Sequence, residues 1–432
     1  MSATTKQLDY GSVPPRASSS RAIRNEIVPS NGQTFNMNNT IIIDFPANLN
    51  NTFCDFHSSY LSFNIANTNT TANQSIKFET GGAPSIIRRL TLEIGGQTLA
   101  SIENYNILYQ MMFDMDAADQ FRDNAGEVMF GAGKGFNGAT LDDTAGAGAS
   151  SRKVCFPLVV TPLMCQKYFP LIGRERLRLR LDLDDVDRAF IHETTGGNAT
   201  TNAQVEITDV KMVTYSLELG SDVMSAVAAA SGGVFKMAMP NYQNHQSALS
   251  TSDSKLVATL GFSMSSLNRL LVAHTRSTIN DVAASVGNRA RAGLQRASVS
   301  IGGVKYPMRD IRENSEGSEV MAEALLSQRA LTSWGHQSAL NSSDGGFALD
   351  EGDGIATGSK GLYLLEIDLE SQRVGGSPES QLIAGVNTIG QICQLELTYD
   401  GTPTNAYDVN VFAEYTTLLM LDLNSLVYSI AV

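Results

Sequence analysis

One ordered series of sequence patterns occurs twice in the 432-residue chain, and this repeat restricts the possible folds more than any other feature. In each half, a strand pattern ends in Ile-Gly-Gly and is followed by a helical pattern, a Gly-rich stretch, an alternating strand pattern and a long final strand pattern. The two Ile-Gly-Gly strings stand at positions 94–96 and 301–303. The repeat predicts two tandem domains that fold in the same way.

Two further pairs of segments define the repeat. Arg180–Leu183 is matched by Glu366–Leu369. These two segments are closer together in the chain than the Ile-Gly-Gly strings are, so the second copy is predicted to be shorter between its Ile-Gly-Gly turn and its alternating strand. The closing strand that contains Tyr215 is matched by Asp408–Leu423, which contains Tyr415.

The clearest strand pattern is Arg176–Leu183, in which every second residue is a leucine and the residues between are Arg178, Arg180 and Asp182. This period of two predicts a half-buried strand with its leucines in the core. Further strands of the first half are predicted over Thr40–Phe45, Tyr60–Ile65, Ser75–Phe78, Arg89–Ile94, Val154–Val159 and Val205–Leu219. Short strands separated by Gly, Asn and Pro turns indicate an all-β sandwich or barrel and not a βαβ fold.

A helix interrupts each half. In the first, apolar residues between Ile102 and Met115 recur at the spacing of one helical face, and the second helix is predicted over Glu319–Leu331. We expect the first helix to close an open end of its sandwich. The Gly-rich segments Asp119–Ser151 and Ser338–Lys360 are predicted to be long exposed loops.

The Ala-rich stretch Ser221–Gly233 separates the two copies and is predicted to be a short helical linker. The predicted domains are an N-terminal arm over 1–28, a first sandwich over 29–220, the linker over 221–233 and a second sandwich over 234–432. Because the arm is polar, Ser-rich and broken by Pro14 and Pro15, it is not expected to join a core. Its basic residues are Lys6, Arg16, Arg21 and Arg24.

The formal net charge of -13 argues against a protein that coats nucleic acid, because such binding depends on Lys and Arg that displace phosphate counterions. Hydrophobic residues make up 42% of the chain, enough for sizeable cores, and no long uninterrupted apolar run predicts a membrane span. The chain opens without a charged and apolar leader, so we expect synthesis in the cytosol. In that reducing compartment the four cysteines are expected to be buried thiols.

The histidines do not form a metal-binding pattern. His192-Glu193 begins like the zinc-protease HExxH motif, but Gly196 stands where the second histidine is needed. No two of the five histidines stand close enough in sequence to suggest a metal pair, and they are His57, His192, His245, His274 and His336.

Other catalytic motifs are also incomplete. Gly131–Lys134 has part of a phosphate-binding loop, but Val128 replaces its first glycine and Gly135 replaces the Ser or Thr that holds magnesium. The acidic run Asp184–Asp187 is interpreted as a solvated strand end and not as an acid-base pair. We therefore predict that the protein is not an enzyme and has no catalytic residues, no cofactor and no metal ligands.

Two short segments directly before the alternating Leu strand carry a resemblance to a known family. Phe156-Pro157-Leu158 and Lys167–Leu171 (KYFPL) resemble the PL and KYLPL pattern in capsid proteins of polinton-like viruses and virophages. The chain therefore resembles the double jelly-roll major capsid proteins, a lineage that includes adenovirus hexon, tailless bacteriophages and large eukaryotic DNA viruses. Between the two segments the family often has Ser-Gly and Leu-Gly pairs, whereas this chain has VVTPLMCQ, which leaves the subfamily open.

The resemblance implies an all-β fold of two tandem eight-stranded jelly-roll sandwiches with short helices between strands. It also implies a structural major capsid protein that forms homotrimeric, pseudo-hexagonal capsomers in the icosahedral shell of a DNA virus, and hence a place in the virion. The implied partners are further copies of the chain, neighbouring capsomers, minor capsid or penton proteins and an internal membrane. Sequence-specific nucleic-acid binding is not expected, and the Gly-rich loops are expected to face outward.

The main alternative is a jelly-roll carbohydrate-binding protein, either a lectin or a fibre protein, which needs an exposed platform of Trp and Tyr side chains. The chain has one tryptophan, Trp334, which we interpret as a core residue that closes the second domain. A jelly-roll enzyme of the cupin kind needs clustered His and Glu ligands, which the sequence does not provide. A single jelly-roll shell protein with a projecting domain is a further alternative.

Overall fold

A computed structural model describes most of the chain. The described residues are 20–72, 74–133, 138–145, 148–165, 167–192, 204–277, 286–313, 317–331, 340, 361–370 and 385–431.

The first half of the described chain is built from antiparallel strands. They are β1 (Ser20–Ile27), β2 (Thr34–Asn36), β3 (Thr40–Asp44), β4 (Thr52–Asn67), β5 (Ile76–Phe78), β6 (Ile87–Ile94), β7 (Gln97–Glu103), β8 (Thr140–Leu141), β9 (Ser151–Phe156), β10 (Phe169–Pro170), β11 (Leu177–Leu183), β12 (Phe190–His192) and β13 (Val205–Leu219). One sheet has the order β1-β13-β4-β10, with β2 also paired to β13 and β9 to β4. The others have the orders β3-β11-β6-β7 and β12-β5-β8.

The second half repeats this arrangement in two sheets. Its strands are β14 (Val234–Leu249), β15 (Lys255–Leu260), β16 (Leu267–Arg276), β17 (Leu294–Ile301), β18 (Val304–Arg312), β19 (Leu365–Asp368), β20 (Cys393–Tyr399), β21 (Tyr407–Asp422) and β22 (Val427–Ala431). One sheet has the order β14-β21-β16-β19, with β22 paired to β21, and the other has the order β15-β20-β17-β18. The predicted all-β fold of two tandem sandwiches is confirmed.

Short helices connect the strands. They are α1 (Tyr105–Asp116), α2 (Asp119–Phe121), α3 (Glu127–Phe130), α4 (Val186–Ala189), α5 (Ser221–Ala230) and α6 (Ser318–Ser327). Helix α5 lies within the predicted linker and has no buried residue. The strands described before it belong to the first three sheets and those after it to the last two. The domain boundaries that we drew at this linker stay a prediction.

The side chains of β11 point alternately into the core and away from it, as predicted. Leu177, Leu179, Leu181 and Leu183 are buried, whereas Arg178 is exposed. β11 pairs with β3 on one side and β6 on the other, with Leu179 opposite both Ile43 and Leu92. Leucines from β11 and isoleucines from its neighbours thus form one apolar layer, as expected for a sheet with one face in the core. The six further strands predicted in the first half are also present, although β9 ends at Phe156 and not at Val159.

The hairpin turns Gly95-Gly96 and Gly302-Gly303 have the same backbone conformation. Their φ angles are 57° and 81° in the first turn and 57° and 83° in the second. Two consecutive residues with positive φ form a hairpin turn whose twist matches the flanking strands, and glycine adopts this conformation at little cost. The repeat is therefore present in backbone conformation as well as in sequence.

The predicted counterpart of the alternating Leu strand is wrong. Leu177 of β11 lies opposite Ile94, whereas the residue opposite Ile301 is Cys393 of β20. The true counterpart is therefore β20, and the second copy is slightly longer in this interval, not shorter as predicted. Glu366–Leu369 overlaps β19, which pairs with β16 as β9 pairs with β4. A short alternating string specifies a strand but not its partner, which depends on register and on the connecting loops.

The predicted exposed loop 119–151 is wrong in its first part and again at Thr140–Leu141, which forms β8 and in which Leu141 is buried. Residues 119–130 form α2, a π-helical turn over Arg122–Gly126, and α3. Arg122 is buried there, with its guanidinium 4.8 Å from the centre of the Phe113 ring. Contact with the end of α1 thus orders the start of a segment whose overall composition favours a loop. Apart from Leu340, the second predicted loop, 338–360, lies outside the described residues.

The predicted arm, 1–28, is also wrong in its last part. Ser20–Ile27 forms β1, which pairs with β13 along its whole length, from Ser20 opposite Leu219 to Ile27 opposite Met212. An edge strand needs only main-chain hydrogen bonds, so a polar sequence can form one without contributing to the core. Residues 1–19 lie outside the described residues.

We expect Leu181→Asp to unfold the first sandwich. Leu181 is buried at the centre of β11, and a buried carboxylate without a partner costs several kcal/mol, comparable with the ~5–15 kcal/mol that stabilises a whole domain. Thermal melting followed by circular dichroism measures the loss. The matched control is Arg178→Asn on the same strand, where the wild-type side chain is 49% exposed and its ion pair with Asp44 contributes about 1 kcal/mol at most. A Leu181→Asp protein that melts like the wild type would mean that the buried face of β11 is assigned incorrectly.

Candidate functional site: the interface between the two sandwiches

The motifs that we tested for catalysis have structural surroundings. Gly131–Gly133 is a buried turn after α3, where a side chain at Gly131 would collide with the ring of Phe78. Lys134 lies outside the described residues, as do Glu193 and Gly196 of the incomplete zinc motif. Within the described part of the chain, no three His, Cys, Asp or Glu side chains are grouped so that they could hold a metal ion. The predicted absence of catalytic, cofactor and metal sites stays a prediction.

The acidic run Asp184–Asp187 is not a solvated strand end, as we had interpreted it. Asp184 is buried and accepts a hydrogen bond from the Asn106 side chain of α1 at 2.7 Å. Asp185 caps α4 by accepting from the main-chain nitrogen of Asp187 at 3.0 Å. These carboxylates therefore hold α1 and α4 against the sheet.

His274 is a core residue of the second sandwich. It is fully buried on β16, and its Nε2 lies 2.9 Å from the Tyr399 hydroxyl oxygen. Burial lowers the pKa of His274 to about 4, because the imidazolium loses its hydration inside the protein. We conclude that the neutral ring contributes to packing. His192 ends β12, and His336 and Trp334 lie outside the described residues.

A cluster of buried charges joins the two halves of the chain. Asp114 of α1 receives a hydrogen bond from the Arg289 guanidinium at 2.6 Å through its Oδ2 and one from Arg122 at 3.1 Å through its Oδ1. Asp114 and Arg289 are completely buried, and Arg122 nearly so. Arg289 belongs to the loop before β17, so this carboxylate binds one arginine from each sandwich.

Arg289 is further bound by main-chain carbonyl groups of the second half. Its Nε donates to the Tyr363 oxygen at 3.0 Å, and Nη2 also donates to the Leu362 oxygen at 3.3 Å. These two carbonyl groups hold the Arg289 guanidinium in place within the second sandwich. Its contact with Asp114 therefore fixes the position of α1 relative to the second sandwich. A buried ion pair of this kind specifies geometry more than it adds net stability.

A second set of polar contacts lies where β7 meets β14. Asn241 of β14 donates to the main-chain oxygen of Leu99 on β7 at 2.8 Å. Asn104, which has φ 51° just before α1, donates to the side-chain oxygen of Asn410 on β21 at 2.8 Å. All of these groups are buried, so each amide specifies one alignment of the two sandwiches, because a shifted alignment would leave it unpaired.

A third contact between the two sandwiches involves the KYFPL segment. The ring of Phe169 is stacked on that of Tyr428 in β22 with 6.0 Å between centres, and the Tyr428 hydroxyl donates to the Pro170 oxygen. A Cβ at Gly173 would lie only 2.2 Å from the Tyr428 ring, so a larger residue there would displace it. Phe53 and Phe235 extend this apolar contact with 5.9 Å between ring centres. The segment that carried the family resemblance therefore docks the last strand onto the first sandwich.

A cleft of about 980 Å³ follows the same interface. It lies between the end of α1 and the second sandwich, and its most buried cation is Arg269. Arg269 is bound to Glu366 at 3.1 Å and to Glu414 at 2.6 Å. Because these carboxylates already neutralise it, we interpret the cleft as part of the interface between the sandwiches. These interface residues were not predicted from the sequence, although Asn106, Gln110 and Asp114 recur at a spacing of four on a mostly apolar helix and were a detectable signal.

No helix in the described part of the chain is long and apolar enough to cross a membrane.

Comparisons with known proteins identify the fold. No family model matches the chain, and no curated protein matches its sequence. Among solved structures, the VP54 capsid protein of PBCV-1, fitted into a reconstruction of the virophage Sputnik, is similar over 98% of this chain and 99% of its own, with a TM-score of 0.62 and 12% identity. The Faustovirus major capsid protein covers 95% of this chain and 92% of its own, with a TM-score of 0.61 and 9% identity.

The mavirus major capsid protein is similar over 100% of this chain and 93% of its own, with a TM-score of 0.55 and 13% identity. These matches extend through both sandwiches and the interface between them. The chain therefore has the double jelly-roll fold of this lineage of capsid proteins, as the KYFPL segment led us to expect.

We expect Asp114→Asn to destabilise the protein by about 3–5 kcal/mol, because two buried guanidinium groups lose their charge partner. Denaturant unfolding measures the change. The matched control is Asp44→Asn, which removes an ion pair to an arginine that is 49% exposed and should cost about 1 kcal/mol or less. Equal effects of the two substitutions would contradict the structural role of the buried pair.

We also expect His274 to make the protein less stable in acid. Its folded-state pKa of about 4 lies below the unfolded value of ~6.5, so the unfolded state binds the proton first and stability falls as the pH drops from about 6.5 to 4. Between pH 7 and pH 4.5 the loss is about 2–3 kcal/mol. Unfolding free energies should fall less over this range in His274→Gln than in the wild type. The same pH dependence in both proteins would contradict the assignment.

Proposed function

We propose that the protein is the major capsid subunit of an icosahedral DNA virus, that it is not an enzyme, and that its place is the virion shell. The observation that carries the proposal is the end-to-end match of both sandwiches with major capsid proteins. Such a shell needs the two sandwiches of each chain to be held side by side. The buried contacts of Asp114 and Asn241 hold them in this way.

Geometry supports assembly as a homotrimer. Three chains with two similar sandwiches each provide six similar walls, which tile a hexagonal lattice. Wall-to-wall contacts of this kind bury broad surfaces, and a stable biological interface is expected to exceed ~1,000 Å². The same tiling covers strand edges that would otherwise promote aggregation.

The partners follow from this architecture. Further copies of the chain and neighbouring capsomers are the primary ones, and minor capsid or penton proteins are proposed for positions where the lattice bends. Residues 1–19 precede β1 and carry Lys6 and Arg16, so we place them on the inner side of the shell, against a neighbouring capsomer, a minor protein or an anionic internal membrane. The net charge of -13 argues against condensation of the genome by this protein. We assign its synthesis to the host cytosol.

We expect the purified protein to be a trimer, with three times the chain mass of 46.4 kDa. Light scattering at micromolar concentration measures the mass, and negative-stain images should show particles with a pseudo-hexagonal outline. A lectin or fibre protein with two jelly rolls would give neither hexagonal particles nor arrays of them. A monomer at all micromolar concentrations would contradict the proposed function.

A further inference from the structure

The loop that holds Arg289 is attached to the strand that carries the buried histidine of the second sandwich. Arg289 lies opposite Thr275 of β16 in an isolated antiparallel bridge, and the main-chain nitrogen of Ala290 donates to the main-chain oxygen of His274 at 3.1 Å. The arginine that binds Asp114 across the interface therefore takes its position from the neighbourhood of His274.

A second segment contacts both Arg289 and the His274 ring. The main-chain oxygen of Tyr363 accepts from Arg289 Nε at 3.0 Å, and its main-chain nitrogen donates to the Arg289 oxygen at 3.1 Å. The Tyr363 ring lies beside the His274 imidazole with 6.3 Å between ring centres. Two residues earlier, a Cβ at Gly361 would lie only 2.2 Å from the Arg289 oxygen. The arginine and the histidine therefore share one closely packed set of neighbours.

Three tyrosine rings surround the imidazole of His274. Tyr399 and Tyr407 complete the set, with 5.8 Å and 6.5 Å between their ring centres and that of the imidazole. Burial among these rings lowers the pKa of His274, although a hydrogen bond with the main chain of Ala290 acts in the opposite direction. Because an imidazolium needs hydration or a carboxylate partner, the ring can be protonated at modest cost only when one of the surrounding segments moves and admits water.

The charged groups of the packed elements do not supply that partner. Arg276 follows two residues later on the same face of β16, and Arg291, in the loop before β17, acts electrostatically on Tyr363. The carboxylate on this side, Glu313, accepts a hydrogen bond from the Tyr363 hydroxyl at 3.3 Å. The Arg289 guanidinium adds a further cation, so among the described residues positive groups predominate around the imidazole.

We propose that His274 is an acid-sensitive element that releases the contact between the two sandwiches before either sandwich unfolds. The segments that must move to hydrate the protonated imidazole are those that hold Arg289 against Asp114. When they move, the sandwiches lose the ion pair that aligns them. This release is a property of the single chain; its consequence, a shell that loosens in an acidic compartment, rests on the proposed function.

The size of the effect follows from the pKa of His274 in the two states. In the released state the imidazole is hydrated and has the ordinary pKa of ~6.5, whereas in the closed state its pKa is about 4. The released state therefore binds the proton first, and the ratio of released to closed chains rises about twentyfold from pH 7.0 to pH 5.0. Burial raises the pKa of Glu366, which opposes release in acid, so a variant is needed to isolate the histidine.

Hydrogen exchange followed by mass spectrometry tests the proposal on the whole chain. Exchange is measured at pH 7.0 and pH 5.0, and each labelling time is corrected for the intrinsic exchange rate at that pH. In the wild type, we expect the protection of α1 and of residues 286–292 to fall about twentyfold, whereas that of β11 should change less than about twofold. A uniform fall along the chain would indicate global unfolding and would overturn the proposal, as would unchanged protection of the two segments.

Substitution shows whether His274 is responsible. His274→Gln retains a buried polar side chain that does not titrate in this range, and His274→Phe provides a ring that does not titrate if the glutamine variant fails to fold. In the variant, the protection of α1 at pH 5.0 should stay within about threefold of its value at pH 7.0. A twentyfold fall in the variant as well would overturn the role of His274.

Images of assembled particles separate this inference from the proposed function. Wild-type particles should lose their hexagonal outline at pH 5.0, and particles of the variant should keep it. Local release in a protein that forms no hexagonal particles at any pH would support the inference and contradict the capsid function. Hexagonal particles from a chain without local release would leave the capsid function standing and overturn the inference.

Discussion

The fit of the two sandwiches depends on one buried carboxylate. Asp114 has no contact with solvent and binds Arg122 from its own sandwich and Arg289 from the other. Because burying these charges apart from one another would cost several kcal/mol for each of them, a large share of a typical domain's stability, alignments of the two halves that keep them together are strongly favoured. The Asn241 and Asn104 amides and the Tyr428 contact then select one alignment, and the strand edges of both halves take their positions from it.

The two halves share much of their architecture. The Gly-Gly hairpins and the strand orders of the four-stranded sheets are retained in both halves, whereas the polar residues at the junction are not. Arg24 stands where Asn241 stands in the other copy, although the two positions occupy equivalent places on paired strands. The two sandwiches therefore share a backbone conformation, whereas a few side chains differ between the contact within a chain and any contact between chains.

Much of the fold was predictable because it depends on local patterns. Period-two alternation located β11 and its buried face, and the Ile-Gly-Gly strings located equivalent hairpins. Strand partners were not predictable, since β17 and β20 pair across a long intervening stretch of chain, and the short string Glu366–Leu369 was matched to the wrong strand. The ion pair was missed for a similar reason: Asp114 was visible as a charge on an apolar helix, but nothing local to Arg289 points to it.

The Tyr428 contact has a consequence for the order of events during synthesis. The first sandwich is complete in sequence at Leu219, but the partner that stacks on Phe169 lies almost at the end of the chain and is translated much later. At ordinary elongation rates this interval is roughly 10–40 s, long enough for the first sandwich to fold before the second exists. During that time the apolar surface around Phe169 and the second oxygen of Asp114 have no intramolecular partner from the second half. In a nascent chain, this surface is therefore the one most accessible to chaperones and to premature association with other chains. In the complete chain, the same surface is covered by the second sandwich.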